Sequence, residues 1–163
     1  MADIDTLAMD VRPEWDEIED VRSRCRDFLE NLHYDVDVLD AISMVSSELV
    51  ENAVKYGTFP QTPGIIEYRL KVNKTDITIE VKHPVDDTAG KHLNRLDEIV
   101  QWIRGYQNPF EVYVKKLKEV STKSFADDES CLGLVRIAYE GQSILDFYLD
   151  RDNTLSVSAI FLK

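Results

Sequence analysis

The stretch SSELVENAVKYG, residues 46–57, decides how this chain is read. At about 100° per residue, Val38, Ile42, Val45, Leu49, Ala53 and Tyr56 share one face of a helix, the expected core face. Glu48, Asn52 and Lys55 form a narrower polar arc at its edge, spread over roughly 60° or less. Opposite the core face stand Ser43, Val50 and Val54. Two of these are apolar, so the helix is expected to be covered on more than one side, with its polar arc at a boundary and not in open water.

The arc has usable chemistry. The Asn52 amide oxygen is a neutral ligand of the kind Mg²⁺ accepts while it bridges phosphates. Glu48, about 6 Å back along the axis by helix rise, can take a proton from an attacking hydroxyl. Lys55 can meet a phosphate and offset local negative charge. The plain alternative is that Glu48 and Lys55 form an offset surface pair and Asn52 is incidental.

Around this helix the chain reads as one domain, residues 1–163, without repeats, low-complexity tracts or a linker. IDTLAMDV (4–11) reads as a strand leading to Pro13, which suits the first turn of a helix. Trp15, Ile18, Val21, Cys25, Phe28 and Leu32 then mark an amphipathic helix. Asp35 is placed to cap the helix that ends at Gly57. TFPQTPG is a loop, and IIEYRLKV and ITIEVKH are two strands joined by NKTD. Beyond Pro84 the period turns helical again, with Leu93, Leu96, Ile99, Val100 and Ile103 on one stripe and Phe110, Tyr113, Val114 and Leu117 on another. FADDES is a loop, LGLVRIAYEG a short helix ending at Gly141, and ILDFYLD and TLSVSAIFL a closing hairpin. Hairpin connections predict an α+β two-layer sandwich, with a mixed, mostly antiparallel sheet and helices on one face. A variable helical segment at about 84–130 is the place for a lid or insertion.

Composition narrows the function. A hydrophobic fraction of 44% and a charged fraction of 31% describe a folded chain. The net charge of −12 makes nucleic acid and anionic membrane poor partners. No apolar run reaches the roughly 18 residues of a membrane span, and the acidic start lacks a signal-peptide pattern, so a cytoplasmic location is expected. Cys25 and Cys131 read as buried thiols, not a disulfide. His33, His83 and His92 lack metal-ligand spacing. A nucleotide pocket on so acidic a chain requires local compensation from a metal, a lysine or a helix N-terminus.

ELVENAVKYG resembles the N-box of the GHKL ATPase superfamily, in which a Glu and an Asn four apart serve as base and Mg²⁺ ligand. The resemblance assigns these roles to Glu48 and Asn52. The run VRPEWDEIEDVRSRCRDFLENL before the box is similar to the anti-sigma-factor serine/threonine kinases. The second half, through CLGLVRIAYEG and the terminal hairpin, is similar to their SiaB-type relatives. The resemblance implies a Bergerat, histidine-kinase-like ATPase fold, with ATP and Mg²⁺ as cofactors. It implies a protein partner, either a sigma factor or a small phosphorylatable antagonist, in a partner-switching pathway, and a homodimer.

Two glycine boxes depart from the family pattern. The first, D-x-G-x-G, has as its nearest remnant Asp86, Asp87 and Gly90 in VKHPVDDTAGK; in an ungapped strand His83 takes the place of the adenine-binding aspartate. Asp86 and Asp87 also read simply as turn residues. The second, G-x-G-L-G-L, is reduced to Glu129-Ser130-Cys131-Leu132-Gly133-Leu134, in which only the last glycine, Gly133, followed by Leu134, remains to open a helix toward phosphates. Leu134, Ile137 and Ala138 read equally as core. Two functions therefore stand. One is an ATP-dependent kinase that transfers the γ-phosphate to a Ser or Thr of a partner, with Glu48 as base, Asn52 on Mg²⁺ and Lys55 on the phosphates. The other is a degenerate module that binds a protein without turnover. A third reading, an unrelated α/β domain that matches the N-box by chance, also stays open.

Overall fold

A computed structural model of the chain describes residues 3–60, 62–87, 90–105 and 132–163. Five strands form one sheet in the order β1-β2-β3-β5-β4: β1 (Asp5–Val11), β2 (Ile66–Val72), β3 (Asp76–Pro84), β4 (Ser143–Leu149) and β5 (Thr154–Leu162). Every strand pairing is antiparallel, so the sheet is simpler than the mixed one expected. The described helices are α1 (Glu17–Asn31), α2 (Val36–Tyr56), α3 (Gly90–Arg104) and α4 (Leu132–Tyr139). The second stripe, Phe110 to Leu117, together with FADDES and Cys131, lies outside the described residues.

Alternation builds the two layers. Ile66, Tyr68, Leu70 and Val72 of β2 and Ile77, Ile79 and Val81 of β3 are buried, while Glu67, Arg69 and Lys71 between them are exposed. The buried rows meet α1 and α2. α2 is enclosed widely around its circumference: Ile42, Val45, Leu49 and Ala53 are buried, and so are Ser43 and Val50 on the side facing away from the predicted core face. α1 supplies that second cover through Ile18, Val21, Cys25 and Leu29. Cys25 is a buried free thiol. Ser46 Oγ lies 3.5 Å from its Sγ and 2.8 Å from Tyr68 Oη, so one small polar chain joins α1, α2 and β2 inside the core.

Local signals set the element ends, with two corrections. Asp35 caps α2 as expected, accepting from the Val38 amide at 3.1 Å. Pro13 lies in a turn ahead of α1, not in its first helical turn, and Trp15 is 58% exposed instead of facing the core. The helix begins only at Glu17, so Trp15 leaves the helical period. Gly57 does stop α2, but with φ −69° and ψ 150°, outside the left-handed region. A Cβ there would come within 2.6 Å of the Ala53 carbonyl oxygen and of the Phe59 ring, so close approach is what calls for glycine.

Candidate functional site

The polar arc of α2 is half-built into the interior. Glu48 and Asn52 are half-buried and Lys55 is exposed at the helix end, its ammonium 5.1 Å from the Tyr56 ring centre. The boundary position expected for Glu48 is therefore observed, and its side chain is only 13% exposed.

What covers Glu48 is α4. A Cβ placed on Gly133, in the first turn of α4, would overlap the Glu48 carboxylate, and that Cβ would stand 3.2 Å from Glu48 Cδ. Gly133 is thus glycine because the carboxylate occupies the space a side chain would take. One helical turn on, Arg136 Nη1 donates to Glu48 Oε1 at 2.7 Å, while Arg136 Nε donates to Glu140 Oε2 at 3.1 Å. Burial pushes the Glu48 carboxyl above its ordinary range; the Glu51 charge adds to this and the Arg136 charge opposes it. Arg136 carried no motif signal, yet spacing could have found it. Residues i and i+3 share a helix face, so a Gly133 turned toward Glu48 brings Arg136 with it.

The C-terminal end of α2 meets the end of β3. The Thr58 amide donates to the Pro84 carbonyl at 3.0 Å, fixing the two together. His83 is 3% exposed and its Nδ1 lies 3.2 Å from that same carbonyl. A carbonyl can only accept, so Nδ1 carries the proton and Nε2 is left as an acceptor. Burial lowers the His83 pKa, which favours this neutral form. Tyr56 stacks on His92 of α3, ring centres 3.8 Å apart and planes 15° from parallel. From there α3 runs to the far edge of the sheet, where Arg104 donates to the Leu145 carbonyl at 2.8 Å.

The remaining sequence candidates divide. Leu134 is buried at 5% with Ile137 and Ala138, in keeping with a core role. Asp86 and Asp87 are exposed just beyond β3. Gly90 opens α3, and among the described residues nothing lies within 4 Å of where a Cβ would point, so their packing places no demand for glycine there. The structure brings Glu48 and Gly133 into contact, and sets Asp86, Asp87 and Gly90 near the C-terminal end of α2, where Thr58 meets Pro84 and Tyr56 stacks on His92.

The donor set fits a magnesium nucleotide in part. Asn52 carries an amide oxygen on the face that also carries Glu48, and His83 offers a ring-nitrogen acceptor near the end of β3. Glu48, in contrast, is already engaged by a guanidinium. Among the described residues no group of three or more His, Cys, Asp or Glu could hold a metal by itself, so Mg²⁺ here would rest on Asn52, phosphates and water. Among the same residues no helix is long and apolar enough to cross a membrane.

No family model and no curated protein matches the chain. Among solved structures it is similar to a chain of the SiaB–SiaC complex from Pseudomonas aeruginosa, with a TM-score of 0.72 and 17% sequence identity, over 95% of this chain and 88% of that one. At that identity the similarity establishes a common fold across nearly the whole length of both.

Proposed function

We propose that this protein is an ATP-binding regulator that acts on a protein partner, of the anti-sigma-factor serine/threonine kinase type. The observation that carries the proposal is the contact between Glu48 and Gly133. These residues lie far apart in sequence and each belongs to a stretch that resembles one of the two motifs, and the packing of α4 on α2 sets them side by side. The fold held in common with a chain from a two-protein complex supports a protein partner.

In this reading Asn52 would hold Mg²⁺, and Lys55 and the first turn of α4 would serve the phosphates. Bound ATP supplies the transferable γ-phosphoryl group. His83 Nε2 would accept from the adenine amino group. Glu48, made more basic by burial, takes the proton from the hydroxyl of the partner once its hydrogen bond to Arg136 is given up. That same hydrogen bond favours a second reading, a module that binds its partner without turnover, because a carboxylate held by a guanidinium is a poor base.

Calorimetric titration with ATP, with and without Mg²⁺, separates the two. The regulator reading expects magnesium-dependent binding tighter than about 1 mM, with the magnesium dependence lost in Asn52→Ala. Absence of binding both with and without Mg²⁺ would refute it and leave the module.

A further inference from the structure

A groove of about 520 Å³ lies beside the candidate site, between the first turns of α2, the last turn of α4 and the end of β5. Its floor is apolar. Val38, Ala41 and Met44 line it at helical spacing from α2, and Phe161 closes it from β5. Its rim is acidic: Asp37 and Asp40 stand on the α2 side and Glu140 on the α4 side. Two cations already meet this rim: Arg136 is engaged with Glu48 and Glu140, and Arg26 of α1 pairs with Asp40 at 2.5 Å. The lining acids Asp35, Asp37, Asp40 and Glu140 remain in excess over Arg26 and Arg136.

We propose that this groove docks a cationic segment of a protein partner, one apolar side chain on the floor flanked by Lys or Arg at the rim. Charge decides among the occupants. An anionic segment would meet the rim acids on a chain whose net charge is −12. A second copy of this chain carries the same sign, and an anionic lipid surface is repelled for the same reason. The volume falls within the range of ligand-binding clefts. Met44 gives the floor an unbranched, polarizable side chain that adapts to different apolar shapes. The groove ends on Arg136, whose guanidinium reaches Glu48, so a docked segment lies one side chain away from the candidate base; this last point alone rests on the proposed function.

The test needs neither nucleotide nor partner. The ¹⁵N-labelled protein is titrated at low salt with acetyl-Arg-Ala-Leu-Ala-Arg-amide, and separately with the Glu-flanked peptide of the same design. The expected result is saturable shifts centred on Val38, Ala41, Met44 and Phe161 with the cationic peptide only, at a Kd of about 1 mM or tighter. Asp37→Lys, at an exposed position, and Met44→Gln, on the floor, should each weaken binding about fivefold or more, with the circular dichroism spectrum unchanged. Equal binding of the acidic peptide, shifts centred elsewhere, or no saturation would overturn the assignment. Because nucleotide is absent, any of these results leaves the ATP titration to be judged separately.

Discussion

Gly133→Ala tests the central contact through a change of sign. In the structure the new methyl group would occupy the space of the Glu48 carboxylate, so the carboxylate must swing away and lose its 2.7 Å bond from Arg136. The pair is intermediate in exposure, with Glu48 at 13% and Arg136 at 37%. Its loss should therefore fall between a surface pair and a buried one, about 1–2 kcal/mol. Replacing glycine by alanine inside a helix contributes up to about 1 kcal/mol the other way. The net effect in the native sequence should be neutral to about 2 kcal/mol destabilising. In a Glu48→Ala background the obstacle is gone, and the same substitution should stabilise by up to about 1 kcal/mol. Urea unfolding at pH 7, followed by far-ultraviolet circular dichroism in all four proteins of the cycle, measures the coupling directly. Equal effects of Gly133→Ala in both backgrounds, within about 0.5 kcal/mol, would show that the carboxylate does not sit on Gly133 and would remove the basis for joining the two motifs.

Titration of the half-buried Glu48 and the buried His83 should tilt the pH profile in opposite directions. The Glu48 pKa is raised from 4.5, so its contribution is fully present below that pH and is lost as pH rises through the higher folded value; the stability of Glu48→Gln relative to the native protein should improve over that interval. The His83 pKa is lowered from 6.5, so its contribution is present above that pH and is lost as pH falls toward and through the folded value, and His83→Gln should flatten that limb. Unfolding midpoints across pH 4–8 check both, and a native curve unchanged by either substitution would refute them. In the core, Ser46→Ala should cost about 1–3 kcal/mol by taking the hydroxyl partner from Tyr68. Tyr68→Phe should cost less, because the Ser46 hydroxyl can turn to the carbonyl four residues back in its own helix. A larger loss for Tyr68→Phe would reverse this view of the network.

Periodicity and end signals are local, and they placed most elements close to their observed limits. The sheet rows Ile77–Ile79–Val81, the cap at Asp35 and the stripe Leu96–Ile99–Val100 all follow from a two-residue or 3.6-residue repeat that needs no knowledge of neighbours. Trp15 escaped because an apolar residue just ahead of a helix has the right spacing without being in the helix. Gly57 was placed correctly for another reason, since the Phe59 ring that demands its missing Cβ becomes a neighbour only when the loop folds back.

The chain alone therefore determined the α+β layering, the helix bearing Glu48, Asn52 and Lys55, and the boundary position of that arc, because each depends on residues a few positions apart. Tertiary structure decided what the arc faces. It set Gly133 against the Glu48 carboxylate, supplied Arg136 as its partner, turned His83 inward at the Pro84 carbonyl, and opened the acidic groove between α2 and α4. These contacts join residues far apart in sequence, and their geometry exists only once α4 packs on α2 and β3 ends beside Thr58.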